Sequence, residues 1–240
     1  MSFYEHYAKR AKHPAGVWVH RLQARRLAEL AASSFSKTNL LLEIGPGEGF
    51  FAEECSRAGV PYLGLEASPE LVTEQRRKGL NVQPAVVPPI PLASASTAAC
   101  CLFHVLEHLP NAEKARYLIS ETRRVLIEDG VLILACPNYY TWGRDFFEDD
   151  YTHNYITTPR RVRQLLTDSG YEIEQVEFYS GPVFGFSRYF LLLANRLLYW
   201  RWLNRIIGSA RYYQGFLTFL ECFVVVARAV EPQTASMAAD

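Results

Sequence analysis

Six groups able to take or give a proton fall in two short stretches of the chain. His104, Glu107 and His108 lie within Phe-His-Val-Leu-Glu-His-Leu (103–109), and Asp149, Asp150 and His153 lie in an aromatic and acidic run, 139–157. Imidazole and carboxylate groups are the usual general bases for an oxygen nucleophile. His153 ranks first, because its long segment is placed to cover a pocket, and His108 is the second candidate. Each has a plainer use: Glu107 and His108 can cap the next helix, and His153 can order its own loop. Carboxylates near His153 invite a metal, but no regular ligand spacing supports one, so metal-independent chemistry is expected.

A second group of residues points to binding. Glu43-Ile44-Gly45-Pro46-Gly47-Glu48-Gly49 follows an apolar run and precedes a helical one. Glycines there allow a sharp turn and close approach of a ligand to the backbone. The spacing is G-x-G-x-G, whereas the dinucleotide fingerprint is G-x-G-x-x-G, and position 50 is Phe. Glu48 sits where a pyrophosphate would need positive potential. A ligand without phosphate fits better. Glu66 ends the second apolar run, 23 residues after Glu43. An acid at that place can accept both hydroxyl hydrogens of a ribose. The plainer readings are an ordinary strand–turn–helix connection and a solvated strand-end glutamate.

Positioning these groups falls to alternating strands and helices. Apolar runs predict strands at Leu40–Ile44, Tyr62–Glu66, Asn81–Val87, Ala98–His104, Val131–Cys136, Tyr171–Tyr179 and Leu220–Arg228. Helical spacing predicts helices at Val17–Ser33, Phe50–Ala58, Glu70–Lys78 and Asn111–Ile127. Another starts at the Thr158-Pro159 cap, with Gly170 just past its end. Tyr139–Thr157 reads as a loop. The alternation implies an α/β chain with a mainly parallel sheet and helices on both faces. The division expected is an N-terminal helical extension (1–36), one domain (37–230) with an insert near 180–219, and a frayed tail (231–240).

Of the 240 residues, 49% are hydrophobic and 21% charged, with 25 basic and 25 acidic side chains. That composition excludes a disordered chain and a globally basic nucleic-acid binder. Five scattered cysteines without C-x-x-C spacing fit buried thiols in a reducing cytoplasm better than a secreted disulfide framework. Met1–His20 is polar and does not read as a signal peptide. Prolines 84, 88, 89 and 91 break the one long uncharged stretch, Gly79–Leu106, and charges interrupt Tyr189–Ala227, so no spanning helix is expected.

Several of these segments together resemble a known family. Leu-Glu-Ile-Gly-Pro-Gly-Glu-Gly (42–49) is similar to the first motif of class I S-adenosylmethionine-dependent methyltransferases, and Leu-Glu-Ala-Ser (65–68) to the acidic motif that follows it. Residues 103–109, 124–134 and 158–171 resemble later segments of the small-molecule subgroup, of the type 11/23 kind. The resemblance covers roughly 40–179. It implies a Rossmann-like, seven-stranded sheet with an antiparallel last strand, S-adenosyl-L-methionine as cofactor and S-adenosyl-L-homocysteine as product. It places Glu43 near the methionine amino group beside Gly45, Pro46, Gly47 and Gly49. It places Glu66 at the ribose hydroxyls, counts the adjacent Ala67 among the cofactor-binding residues, and puts His104 on the sulfonium side. Two positions depart from the pattern. Val86 stands where an Asp commonly bonds the adenine amino group, and Ala98 replaces an Asp common before the fourth strand.

Between Glu177 and Glu221 the chain holds five arginines and no acid, with aromatics throughout. Leu198, Trp202 and Ile206 recur at helical spacing. A lid or homodimer helix accounts for this, and so does a surface meeting lipid or a lipid-linked substrate. The expected function is O-methylation of a small-molecule, glycan- or lipid-linked acceptor, with no nucleic-acid partner. The expected location is cytoplasmic, at most peripheral to the inner face of the membrane. A non-catalytic methyltransferase-like scaffold and a nicotinamide-dependent oxidoreductase are the alternatives.

Overall fold

The computed structural model describes residues 14–36, 38–198 and 210–230. In chain order its elements are α1 (Pro14–Ser34), β1 (Leu41–Ile44), α2 (Phe50–Arg57), β2 (Tyr62–Glu66), α3 (Pro69–Arg77), β3 (Val82–Pro84) and β4 (Thr97–Phe103). Then come a 3-10 turn (Leu106–His108), α4 (Ala112–Val125), β5 (Leu126–Pro137), α5 (Tyr139–Trp142), α6 (Asp145–Asp149), α7 (Pro159–Asp168) and β6 (Tyr171–Ser180). The chain closes with β7 (Val183–Phe184), α8 (Arg188–Leu198), α9 (Ala210–Thr218) and β8 (Glu221–Ala229).

Strands β1, β2, β4 and β8 are buried along nearly their whole length because both faces of the sheet are covered there, whereas β6 near the edge is only partly buried. Successive side chains point to opposite faces. Leu41, Ala99, Cys101, Val131 and Ile133 join one core with α1, α2 and Phe216. Leu42, Cys100, Leu102, Leu132 and Leu134 join the other with α4 and α7. Helix α1 contributes Ala24, Leu27, Leu30 and Ala31 to the first core. All five cysteines are buried free thiols.

The caps that the Ser-Pro and Thr-Pro pairs predict at Ser68 and Thr158 are present, and Asn111 adds a third. Ser68 Oγ accepts from Leu71 N, and Thr158 Oγ1 accepts from Arg161 N, each with Pro at the next position. Asn111 Oδ1 accepts from Lys114 N and starts α4.

The sheet order is β3-β2-β1-β4-β5-β8-β6-β7. Strands β1 to β5 pair in parallel, and β8 runs antiparallel between β5 and β6. The fold is a Rossmann-like, mainly parallel sheet with helices on both faces, with one strand more than the sequence suggested. The Gly181-Pro182 turn folds Val183–Phe184 back on Tyr179 and Ser180 as an edge hairpin. The third strand stops at Pro84 rather than Val87, ahead of prolines that carry no N–H for a ladder. Residues 139–149 form two short helices rather than a loop, because Asn138 caps the first and Trp142 Nε1 donates to Glu221 O. The helical face read at Leu198, Trp202 and Ile206, and the tail 231–240, lie outside the described residues or side chains. Among the described residues no helix is long and apolar enough to cross a membrane.

Candidate active site

The segments after β1, β2, β4 and β5 emerge at one edge of the sheet. The order reverses at β1 and β4, which is where such sheets leave a crevice. A cavity of about 660 Å³ opens there, within the usual range for small-ligand sites. Glu43, Gly45, Pro46, Gly47, Glu66, Ala67, His104, His108 and His153 all line it. Two expected residues do not. Val86 is 69% exposed, and its neighbours Ala85 and Val87 face the cavity instead. The side-chain alternation of extended backbone turns Val86 away. Gly49 is spent on the turn into α2, where a Cβ would lie 3.1 Å from both Gln75 and Leu80.

The first half of the cavity is built on carboxylates. Gly45 (φ +68°) and Gly47 (φ +55°) hold left-handed backbone that other residues resist. A Cβ on Gly45 would meet Val105 at 2.9 Å. Gln75 Nε2 donates to Gly47 O at 2.8 Å and fixes the loop against α3. The Glu66 carboxylate accepts from Gly47 N at 3.0 Å and Ser68 N at 2.9 Å. Burial nevertheless leaves its carboxyl above the usual range.

Glu43, in the middle of the sheet, is 2% exposed and accepts from the Tyr62 hydroxyl. Gly64 makes room for that bond, since a Cβ there would sit 2.8 Å from Tyr62 Oη. Burial pushes the Glu43 carboxyl up to about 8, against the lowering pull of the Tyr62 bond and with help from the Glu66 charge.

The second half is an imidazole cluster. His104 has a left-handed backbone (φ +57°), costly for a residue with a side chain. Its ring is held from both sides: Nδ1 lies 3.1 Å from Glu107 Oε1 and Nε2 lies 3.0 Å from the Tyr179 hydroxyl. Burial alone would raise the Glu107 carboxyl, but the His104 bond and the neighbouring rings of His104, His108 and His153 hold it below the usual range. Glu107 is therefore ionised. It accepts from His104 Nδ1–H, and His104 Nε2 accepts from Tyr179.

Tautomers follow for the other rings. The Thr152 hydroxyl donates to Asp150 Oδ1 at 2.7 Å, so Thr152 Oγ1 accepts from His108 Nδ1 at 2.8 Å. His153 Nδ1 donates to Phe146 O at 2.6 Å. In the neutral form of both rings the basic nitrogen is Nε2. Burial pushes His108 below its ordinary value, reinforced by His153 and His104 and opposed by Glu107 and Asp150. Two backbone bonds bring His153 to this place: Asn154 N and Tyr155 N both donate to Glu107 O, at 2.9 and 3.0 Å. The His108 and His153 ring centroids are 4.8 Å apart.

Tyr62, Gln75, Thr152 and Tyr179 support the site and carry no local sequence signal; each acts through a contact at least 19 residues away in the chain.

A family model described as a methyltransferase domain matches residues 15–176. A protein of Mycobacterium bovis described as an uncharacterized methyltransferase is 33% identical over 107 residues, 42% of this chain. That alignment spans 39% of the relative's own length. Among solved structures, a SAM-dependent methyltransferase from Archaeoglobus fulgidus superposes with a TM-score of 0.62 at 18% identity, covering 87% of this chain and 94% of that one. The [4+2]-cyclase SpnF superposes with a TM-score of 0.62 at 21% identity, covering 87% of this chain and 81% of its own.

The donor set fits S-adenosylmethionine. Two buried acidic side chains stand ready, Glu66 for ribose hydroxyls and Glu43 to ionise against an ammonium, Leu65, Ala85 and Val87 offer apolar walls, and no Lys or Arg among the described residues lines the cavity to hold phosphate. Fold, loop and sequence match agree: the chain belongs to the methyltransferase-domain family, of the class I S-adenosylmethionine-dependent kind.

Proposed function

We propose that this chain methylates an oxygen of a small-molecule, glycan- or lipid-linked acceptor. The observation that carries the reading is one cavity with a carboxylate end suited to the cofactor and, beside it, a cluster of Glu107, His108 and His153 suited to an acceptor hydroxyl. Bound there, S-adenosylmethionine supplies an electrophilic methyl group on sulfur. Glu66 holds the ribose hydroxyls and Glu43 the cationic end. His153 and His108 activate the acceptor oxygen: each ring has its N–H committed at Nδ1, and its Nε2 is the basic atom.

The exposed stripe of α8 supports a lipid-linked acceptor or a peripheral lipid contact. Phe186, just before the helix, and Tyr189, Phe190, Leu193 and Leu197 on it are 50–76% exposed. Arg188 ties the helix start to Glu221 at 2.8 Å, and Glu221 adjoins Cys222 on the cavity wall. Co-sedimentation with anionic vesicles at low salt tests this contact, and no pelleting refutes it.

Calorimetric titration with S-adenosylmethionine tests the main reading. Binding that Glu66→Ala weakens, followed by transfer of a labelled methyl group within an acceptor panel, supports it. No binding at millimolar cofactor overturns it. A second reading, cofactor binding without turnover, is favoured by the lack of an acidic side chain at 85–87 for the adenine amino group, and the cyclase relative shows that this fold carries more than one activity. Binding with no transfer across the panel would select it.

A further inference from the structure

We propose that Glu107, His108 and His153 form a binding site for one divalent transition-metal cation, such as Zn²⁺ or Mn²⁺, that engages the acceptor oxygen. The proposal rests on the reading of this end of the cavity as the acceptor's place. One ligand atom from each residue lies within 4.8 Å of the others. A first-row cation about 2.1 Å from each donor draws tetrahedral ligands to about 3.4 Å apart, a closure within reach of small side-chain rotations.

A second observation points to a ligand. Glu107 is 1% exposed; its Oε1 takes the His104 bond, and its Oε2 is buried with no hydrogen-bond partner. A buried carboxylate oxygen left unpaired is costly and calls for a counter-group. A cation between Oε2 and the two imidazoles supplies it.

The surroundings have the form of a metal site's outer shell. Metal-binding histidines donate their other ring N–H to a carbonyl or to a carboxylate-linked group, which fixes the tautomer and aims the ring. His153 does this through Phe146 O, and His108 through Thr152, which is itself held by Asp150. Two imidazoles and one carboxylate suit a borderline cation better than Mg²⁺. Three protein ligands leave a coordination position open to the cavity. With both Nε2 atoms spent on the cation, activation passes from the rings to the metal: an acceptor hydroxyl bound there would lose its proton to solvent water at lower pH than a free hydroxyl does. Local spacing hides the site, because His153 lies 45 residues beyond His108 and arrives only through the Glu107 backbone bonds.

The test is metal binding by the full chain, with no need of turnover. After chelation and dialysis, Zn²⁺ is titrated by calorimetry and Mn²⁺ by electron paramagnetic resonance. One ion per chain is expected, with Glu107→Gln and His153→Asn each weakening it at least about 10-fold. Thr152→Val leaves all three ligands in place and should weaken it through His108 alone, which covers the case of a ligand variant that fails to fold. Absence of binding, or binding that Glu107→Gln and His153→Asn leave unchanged in folded protein, overturns the proposal. Cofactor titration of the same metal-free protein separates this failure from failure of the methyltransferase reading.

Discussion

Glu43→Gln removes a charge that the fold resists while keeping an oxygen to accept from Tyr62. The buried carboxyl titrates near 8 in the folded chain, against an ordinary value of 4.5. Between those values the folded chain keeps a proton that the unfolded chain has released. The stability tied to this group is therefore complete below about pH 4.5 and is lost as pH rises through 8. Each pH unit crossed costs about 1.4 kcal/mol, which comes to roughly 4 kcal/mol by pH 8. That is a large part of the roughly 5–15 kcal/mol of a typical domain.

The assay is urea unfolding of wild type and variant across pH 5.5 to 8. The variant should gain on the wild type by roughly 3 kcal/mol over that interval, and its own curve should be flatter. Cofactor binding should move the opposite way. The cationic end that Glu43 is proposed to hold favours the ionised carboxylate, so the variant binds S-adenosylmethionine more weakly. Wild-type binding at pH 7 should release a proton, read as a dependence of the binding heat on buffer ionisation enthalpy. Parallel pH curves for the two proteins would refute the reasoning, because they would mean that Glu43 is ionised at an ordinary pH.

Gly64→Ala places a methyl group against Tyr62 Oη and breaks its bond to Glu43; a loss of about 1–3 kcal/mol is expected in the same unfolding assay. Gly45→Ala combines a left-handed backbone, costing about 1–2 kcal/mol, with a contact on Val105; lower stability and weaker cofactor binding should appear together in melts and titrations. Arg124→Met frees Ile90 O and Leu92 O, which its guanidinium now holds at 2.8 Å each, and should loosen the proline-rich segment beside Ala85 and Val87. The expected cost is about 1–2 kcal/mol, with weaker cofactor binding by titration and metal binding unchanged. Thr158→Ala removes the α7 cap at a cost of about 1 kcal/mol, visible as a lower urea midpoint with cofactor affinity intact.

The sequence by itself determined the alternation of strands and helices, the caps at Ser68 and Thr158, and the glycine loop with Glu43 and Glu66 at its margins. These are short-range matters: a cap acts over three residues, a glycine on its own backbone, and a strand's apolar run reports that both its faces are covered. Tertiary structure decided which of the candidate residues meet. Val86 lies one position from the cavity and points away from it, because orientation along extended chain depends on where the strand ends. Glu43 is pushed up to about 8 because burial in the closed sheet removes it from water, against the pull of the Tyr62 bond, and no local pattern records that removal. The backbone oxygen of Glu107 gathers residues 154 and 155 and so delivers His153 to His108, joining two stretches that sequence spacing kept apart. Long-range backbone pairing, rather than side-chain type, turned a list of proton-bearing residues into a site.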